Sequence, residues 1–591
     1  MWSFEVIVVL IVITFILVSL YAEIIGPAFT FFIAIIVLGV TGILTPAEML
    51  MGFANEQIAV IIMLLLLGDI IRKTSLIELI FNRIFKKTRT YKGFIGRMMI
   101  LIAGFSAFLN NTPLVAVMMP FIHNWSKKNN ISPSKLLIPL SYAAIIGGCA
   151  TLIGTSTNLI VNGLVIEQEI IPDFERLHLF DFAWVGVPMI IIGFIYMMLF
   201  ANKLLPDKTD AMDSFSANTR EYIVEAEIRK GSHLVGKSIS EAGLRNLKGL
   251  FLFELIRGEF AGIPVTPEVI LLEGDRLYFS GDINKIADLI NPDSGLTLPQ
   301  VGMLRKKKHT NVVEIVISHN SSLIFKTVKE ANFRGKYDSA ILAIHRNGEK
   351  IEGQIGNIRL RAGDVLLLLA GEDLEARSSD TQDFYFISNV REIIKPELWK
   401  SIILLGGTGL AILLSSLGFI SLFLALIILL VIILFTKIAN PKDIPKSLDY
   451  NLAVIIAMSI SLGQAMINTG VAEMISGFII RIFVPIGTLG ILFGLYFITT
   501  ILAAYITNKA AVAIIFPIAL TIASDLGLNP VPFALITAFA AANFMTPIGY
   551  QTNLMVYGPG NYSFKDYFKI GAPLTFIYMI VTVFILWFVF L

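Results

Sequence analysis

Apolar runs dominate the chain, and polar breaks divide them in an order that occurs twice. In the first half the runs cover about 4–21, 24–44, 52–71, 136–165 and 179–201. Such runs approach or exceed the roughly 20 apolar residues that a helix needs to cross a bilayer. Two other pieces fall between the third and fourth runs. Residues 74–88 are basic and amphipathic, the pattern of a helix at the membrane surface. Residues 94–125 are apolar but interrupted near their middle by Asn110-Asn111-Thr112-Pro113. Each arm is too short to span comfortably, so the stretch predicts a re-entrant helical hairpin with its polar tip at mid-membrane depth. Irregular backbone at that depth has to be buried in protein or line a cavity. The second half repeats the order, with runs at about 398–416, 418–436, 451–469, 531–558 and 568–590, an amphipathic piece at 471–484 and a hairpin at 486–523.

Five crossings per half is an odd number, so the second half starts on the opposite side from the first and the repeats are inverted. The repeat extends to residues. Asn111 maps to Asn508 and Pro120 to Pro517, both offset by 397. Thr151, Gly154, Thr157 and Asn158 map to Thr546, Gly549, Thr552 and Asn553, all offset by 395. Ala59-Val60-Ile61-Ile62 recurs as Ala453-Val454-Ile455-Ile456, and Arg83-Ile84-Phe85 as Arg481-Ile482-Phe483.

Residues 206–396 differ in kind. Charge returns, and Tyr222-Ile223-Val224-Glu225-Ala226-Glu227-Ile228 alternates with strand periodicity. This insert is itself a repeat: Val224-Glu225, Leu234, Ala242, Arg245 and Gly274-Asp275 map to Val313-Glu314, Leu323, Ala331, Arg334 and Gly363-Asp364, all offset by 89. Each copy reads as strand, short helix, strands, Gly-Asp turn and strand, with Arg305-Lys306-Lys307-Lys308-His309 as linker. The expected architecture is a polytopic α-helical membrane protein. It has two inverted repeats of five spans and one hairpin each, with an α+β insert of two tandem domains. The divisions fall at 1–205, 206–305, 306–396 and 397–591.

Composition supports the membrane reading. The chain has 591 residues, 55% hydrophobic and 15% charged, against about 25% charged in soluble domains, and its mean hydropathy is +0.77. The single cysteine, Cys149, excludes an internal disulfide framework and any cysteine-based metal cluster. The run Phe4–Tyr21 lacks a basic leader and a clear small-residue cleavage site, so it reads as a retained span. Net charge of +2 says little about partners, and nothing resembles a nucleic-acid surface.

Basic residues set an orientation. Lys73, Arg83, Lys86, Lys87, Arg89 and Lys92 precede the first hairpin, and Lys127, Lys128 and Lys135 follow it, which places its open end in the cytoplasm. The loop 166–181 carries Glu167, Glu169, Asp173, Glu175 and Asp181 without a lysine and faces out, whereas Lys437, Lys442 and Lys446 face in. Both termini are then outside and residues 206–396 cytoplasmic. The five tryptophans (Trp2, Trp125, Trp184, Trp399, Trp587) fall near span ends, as in an aromatic belt.

Polar breaks can be structural, because small residues and amides glue membrane helices together. Their duplication in both halves points instead to a binding site, the usual meaning of paired broken segments in a transporter. Exposed carbonyls at broken helices can hold sodium, while half-helix N-termini and Asn, Thr and Ser donors can face an anion. Other motifs carry less. The turns at Gly274 and Gly363 read as strand connections. Gly406-Gly407-Thr408-Gly409 lies in an apolar run and reads as helix packing, and no Gly-x-Gly-x-x-Gly follows a strand. The histidines, among them His123, His233, His309, His319 and His345, show no metal spacing. The membrane breaks hold no paired carboxylates or nucleophile constellation, so no enzyme is indicated.

The tip Asn110-Asn111-Thr112, the break Ile153-Gly154-Thr155-Ser156-Thr157-Asn158 and their second-half partners resemble the divalent anion:sodium symporter family of the ion transporter superfamily. The insert resembles a tandem pair of TrkA C-terminal (RCK-C) domains. The resemblance implies a homodimer with a scaffold and an elevator-like moving part built from the hairpins and breaks. It implies sodium at Asn110, Asn111 and Gly154, and again at Thr507, Asn508 and Gly549. It implies substrate contacts from Asn111, Thr112, Thr155, Asn508, Lys509 and Tyr550, and a cyclic dinucleotide or similar small regulator at the insert. The chain departs from the family at Asn110, where Ser is common, and at Lys509, where Thr is common. It also has Tyr550-Gln551-Thr552-Asn553 in place of Thr-Pro-Pro-Asn. Lys509 reads either as a structural cation paired with a carbonyl or as a fixed charge beside an anion. The expected function is sodium-coupled import of sulfate or a C4-dicarboxylate. An ion channel or potassium-uptake subunit is the rival that the insert suggests, but a Thr-Val-Gly-Tyr-Gly type of filter is missing from the sequence.

Overall fold

The computed structural model describes residues 3–22, 24–54, 56–73, 76–85, 88–172, 174, 176–208, 223–229, 231–244, 250–257, 265–281, 296–297, 312–337, 339–346, 349–351, 355–370, 374–378, 383–387, 398–439, 441 and 450–591. The readings on Trp2, Lys86, Lys87, Asp173, Glu175, Tyr222, Arg245, the linker 305–309, Lys442 and Lys446 fall outside these residues, as do the divisions at 305/306 and 396/397. The chain forms two compact units, one of Met1–Asp207 with Glu392–Leu591 and one of Lys208–Arg391.

Among the described residues of the first unit, five helices are long and apolar enough to cross a membrane, and up to seven if two bent pairs each count as one span. Ten apolar runs lie outside the hairpins, with polar breaks expected within 136–165 and 531–558. Both breaks are present and separate shorter helices. The run 136–165 is Leu137–Gly148 followed by Ser156–Glu167, and 531–558 is Val531–Ala540 followed by Gln551–Tyr557. The stretch 94–125 is Tyr91–Ser106 turning into Asn111–Lys128, and 486–523 is Thr488–Tyr505 turning into Asn508–Asp525.

Burial sorts the helices into inner and outer. Only 28% of the apolar window of Phe4–Tyr21 is buried, and 33% in Ala183–Leu204 and in Phe564–Phe590, against 89% in Asn508–Asp525. Leu137–Gly148 is buried along its whole length. Phe32, Val40, Phe435 and Phe588 project from outer helices, as lipid-facing side chains do. Inner helices approach closely through small residues: a Cβ on Gly147 would overlap the backbone of Ala103 in the first hairpin. The basic amphipathic piece is the helix Leu76–Phe85. Phe85 from its apolar face packs on Phe94 at 4.7 Å and on Phe121 at 5.5 Å between ring centroids, while Arg83 stays exposed.

The second unit contains two sheets. In the first, β1 (Ile223–Ile228), β2 (Leu250–Ile256), β3 (Arg276–Gly281) and β4 (Leu296–Thr297) take the order β2-β3-β1-β4. In the second, β5 (Val312–Ile317), β6 (Ser339–Arg346), β7 (Glu349–Lys350), β8 (Val365–Ala370) and β9 (Phe384–Phe386) take the order β7-β6-β8-β5-β9. After β5 the second copy has the short helix Phe333–Tyr337, whereas the described residues 231–244 of the first copy form turns. Each copy pins its Gly-Asp turn with an arginine. Arg257 grips Asp275 through two bonds of 2.7 Å, and Arg346 grips Asp364 through two of 2.7 Å. Gly274 and Gly363 take φ of +80° and +83°, a region that suits glycine. The second copy also buries Asp383. Burial pushes its carboxyl up, but hydrogen bonds from Lys336, Tyr337 and the Ser322 amide outweigh this and hold it below the usual carboxylate value.

Candidate functional site

A helix end leaves carbonyls without intrahelical partners, and at mid-membrane depth they need another donor. Both breaks solve this alike. In the first, the Asn158 Nδ2 donates back to the carbonyls of Gly148 (3.2 Å) and Thr151 (2.8 Å), and the Thr151 hydroxyl donates to the Ala107 carbonyl at the hairpin tip. In the second, the Asn553 Nδ2 donates to the carbonyls of Asn543 (3.1 Å) and Thr546 (3.2 Å), and the Thr546 hydroxyl to the Ala504 carbonyl (3.0 Å). Each hairpin tip is thereby tied to the break of its own half. The returning hairpin helices begin with side-chain caps: Asn110 Oδ1 accepts from the Thr112 amide at 3.1 Å, and Thr507 Oγ1 from the Ala510 amide at 3.3 Å.

The two halves meet at Tyr550. One end of the Asn111 amide lies beside the Ser106 hydroxyl, 3.2 Å from the Ala144 carbonyl and 3.3 Å from the Gly154 carbonyl. The other end lies 2.8 Å from the Tyr550 hydroxyl. With Nδ2 at the first end it can donate to these oxygens, and Oδ1 accepts from Tyr550. Tyr550 is also 2.9 Å from the Thr155 hydroxyl, which is 3.1 Å from that of Thr157. Thr112 donates to Gln551 Oε1 at 3.2 Å. Behind them the Ser141 hydroxyl lies 2.9 Å from the hydroxyl of Thr552 and 2.7 Å from Asn553 Oδ1.

The N-terminal ends of three helices, Asn111–Lys128, Ser156–Glu167 and Gln551–Tyr557, are therefore joined by side-chain hydrogen bonds. The fourth, Asn508–Asp525, packs against Ser156–Glu167. Helix N-termini carry partial positive charge, so such a place suits an anion. Lys509, in the first turn of the fourth helix, is buried and interacts with a neighbouring group.

Asn111, Thr112, Thr155, Gly154 and Tyr550 thus come together. Asn508 caps its own helix start, with Oδ1 accepting from the Lys509 amide at 3.0 Å, and Gly549 lies against Thr546 and Asn543. Sequence reasoning missed Ser106, Asn543 and Asp69. Asp69 is a carboxylic acid buried in the apolar helix Glu56–Lys73 and engaged with a neighbour. No group of three or more His, Cys, Asp or Glu able to hold a metal occurs among the described residues.

Two stretches, 7–496 and 410–591, match the model of the citrate transporter family. The chain belongs to the citrate transporter family. It is similar over nearly its whole length to curated relatives. A "Putative sulfur deprivation response regulator" of Chlamydomonas reinhardtii is 32% identical, over 92% of this chain and 94% of that protein. "Uncharacterized transporter sll0640" of Synechocystis sp. is 31% identical over 98% and 96%. "Sodium/sulfate cotransporter 1" of Chlamydomonas reinhardtii is 24% identical over 96% and 88%. The chain is accordingly a multi-pass α-helical membrane protein with a transport role, and a secondary transporter.

Proposed function

We propose that this transporter couples sodium to the uptake of a small divalent oxyanion, with sulfate first and C4-dicarboxylates second. The observation that carries the reading is the hydrogen-bonded meeting of both halves, where Tyr550 links Asn111 and Thr155. The anion lies among the helix N-termini, within reach of Thr112, Thr155, Asn508 and Tyr550, with Lys509 supplying positive charge. Named relatives support both ions: proteins called sodium/sulfate cotransporters are 24% identical to this chain.

Asn111 suggests how sodium enters. Turned through 180°, its amide would set Oδ1 beside Ser106 Oγ and the carbonyls of Ala144 and Gly154. The single hydroxyl proton of Ser106 can satisfy only one of the three acceptor oxygens that it then faces, and a cation among them would hold the rest, the arrangement that neutral oxygen ligands offer a hard cation. Sodium is then held with the amide oxygen inward, near the Asn110–Asn111 tip, and its release lets the amide turn back. The hairpins and breaks move as an elevator against the outer helices, in a homodimer with both termini outside. Residues 206–396 are cytoplasmic, resemble tandem TrkA C-terminal domains, and take a small regulator such as a cyclic dinucleotide.

The deciding experiment is uptake of radiolabelled sulfate, succinate and citrate by proteoliposomes, with and without an inward sodium gradient. Citrate belongs in the panel because the family carries its name. Sulfate accumulation that collapses without the gradient is expected. Equal accumulation in potassium medium removes sodium from the mechanism.

A further inference from the structure

An internal repeat, left to itself, builds two equal ion places. We propose that Asn543 closes the second one, so that the chain binds sodium in its first half alone. This inference rests on the sodium-coupled reading above.

The two breaks are tied by the same bonds, with Thr151 and Asn158 matched by Thr546 and Asn553. One position differs in kind. The offset of 395 that relates these pairs carries Gly148 onto Asn543. Gly148 has no side chain, and the Asn111 amide occupies the space over it: a Cβ on Gly148 would meet the two amide atoms at 2.8 and 2.9 Å, and the Gly154 carbonyl at 3.2 Å. In the second half a side chain grows from that very position.

Three differences from the first half are visible. First, the Asn543 amide is fixed in one orientation, because its Oδ1 accepts from the Met545 amide at 2.7 Å. Its Nδ2 is then directed at Gly549, the counterpart of Gly154, 3.0 Å from where a Cβ on that glycine would lie. Secondly, Asn508, the counterpart of Asn111, is turned to its own helix start, where Oδ1 accepts from the Lys509 amide at 3.0 Å. Thirdly, the offset of 397 that relates the hairpins carries Ser106 onto Ala503, so the hydroxyl beside Asn111 becomes a methyl group.

Of the three oxygens around the Asn111 amide, the two backbone carbonyls have counterparts in the second half, at Phe539 and Gly549, but the Ser106 hydroxyl is replaced by a methyl group, the counterpart of the Asn111 amide is turned away, and an N–H donor stands against Gly549. The Nδ2 of Asn543 is fully buried and has no hydrogen-bond partner among the described residues. An amide N–H presents its positive end, which attracts an acceptor and repels a cation. The second half has lost one oxygen ligand and gained a donor that opposes a cation, and the asymmetry is built at two residue exchanges, Gly148 against Asn543 and Ser106 against Ala503.

The test is the number of sodium ions bound at saturation by the purified full-length protein in detergent, measured by equilibrium dialysis with radiolabelled sodium. Wild type is expected to bind one per chain, and Asn111→Ala none. The double variant Asn543→Gly with Ala503→Ser, which copies the first half into the second, is expected to bind two. A wild-type count of two overturns this inference and leaves the sodium-coupled reading standing. So does a single ion that Asn508→Ala removes and Asn111→Ala retains. A count of zero in protein that still binds the anion overturns the sodium-coupled reading, and this inference with it. The wild-type and Asn111→Ala counts decide the matter even if the double variant does not fold.

Discussion

A phenol hydroxyl can donate one hydrogen bond and accept others, and that of Tyr550 does both across the repeat boundary. It donates a hydrogen bond to Asn111 Oδ1 and can accept one from Thr155, 2.9 Å away. The second tip carries a basic residue, Lys509, in the first turn of Asn508–Asp525. A lysine at the bilayer centre costs about 2.5–3.5 kcal/mol on insertion scales, and Lys509 is only 7% exposed. The expense is recovered if the ammonium lies beside the transported anion. Lys509→Thr copies Thr112 of the first half, keeps a polar group and removes the charge. It is expected to weaken sulfate binding by about 2–5 kcal/mol, as loss of one partner of a buried charge pair does, and to change the sodium dependence of the remaining uptake. Isothermal titration and sodium-dependent uptake measure these. Unchanged values in both leave Lys509 as a structural residue.

At the scale of elements the breaks, not the spans, define the protein. A polar gap between Leu137–Gly148 and Ser156–Glu167 holds its shape because one asparagine side chain satisfies carbonyls on the far side of the gap. Asn158→Ala leaves both without that donor. At about 1–3 kcal/mol for a buried polar group stripped of its partner, the variant is expected to melt earlier in detergent and to lose uptake. Asn158→Asp, which still fills the space but cannot donate when ionised, should fare no better. A variant with wild-type melting and uptake would show that the break holds itself without Asn158. The breaks were legible in the sequence because Gly-x-x-Thr-Asn and the tip asparagines stand out against apolar surroundings and recur at fixed offsets. Ser106 was not legible. A serine in an apolar helix ordinarily bonds its own preceding turn, and nothing local shows that its hydroxyl reaches the Ala144 carbonyl of another helix at 2.7 Å. Asn543 escaped for a different reason: matching identical residues between halves overlooks a position where one half has Gly148 and the other an amide. Hydropathy by itself records apolar length, and it was the polar residues within 136–165 and 531–558 that marked the gaps. In the insert, the Gly-Asp turns were read correctly as strand connections, but Arg257 and Arg346, which secure them, lie 18 residues upstream of their aspartates and carry no local signal.

On the scale of the whole molecule, the division of labour follows from where each unit keeps its core. The membrane unit takes Met1–Asp207 and Glu392–Leu591, so the chain leaves it once and returns once. The unit Lys208–Arg391 has its own apolar centres: Leu255, Leu271 and Leu277 in one copy, and Ile315, Leu366 and Leu368 in the other, all fully buried. Every candidate anion and sodium ligand, from Asn110 to Tyr550, belongs to the membrane unit, and the hydrogen bonds that join the two halves run directly between its helices. The insert therefore supplies none of the groups proposed to bind substrate. If it regulates, it must do so by biasing conformations that the membrane unit already has, which changes rates and populations and leaves the intrinsic site intact. Replacing residues 215–390 with a short flexible linker is expected to leave sulfate affinity within the about 0.5 kcal/mol that separates independent sites, measured by scintillation proximity in detergent. Uptake rate is free to change in either direction, because a regulator can hold the transporter back or drive it. A folded deletion variant that no longer binds sulfate would make the insert part of the binding machinery and end the regulatory reading.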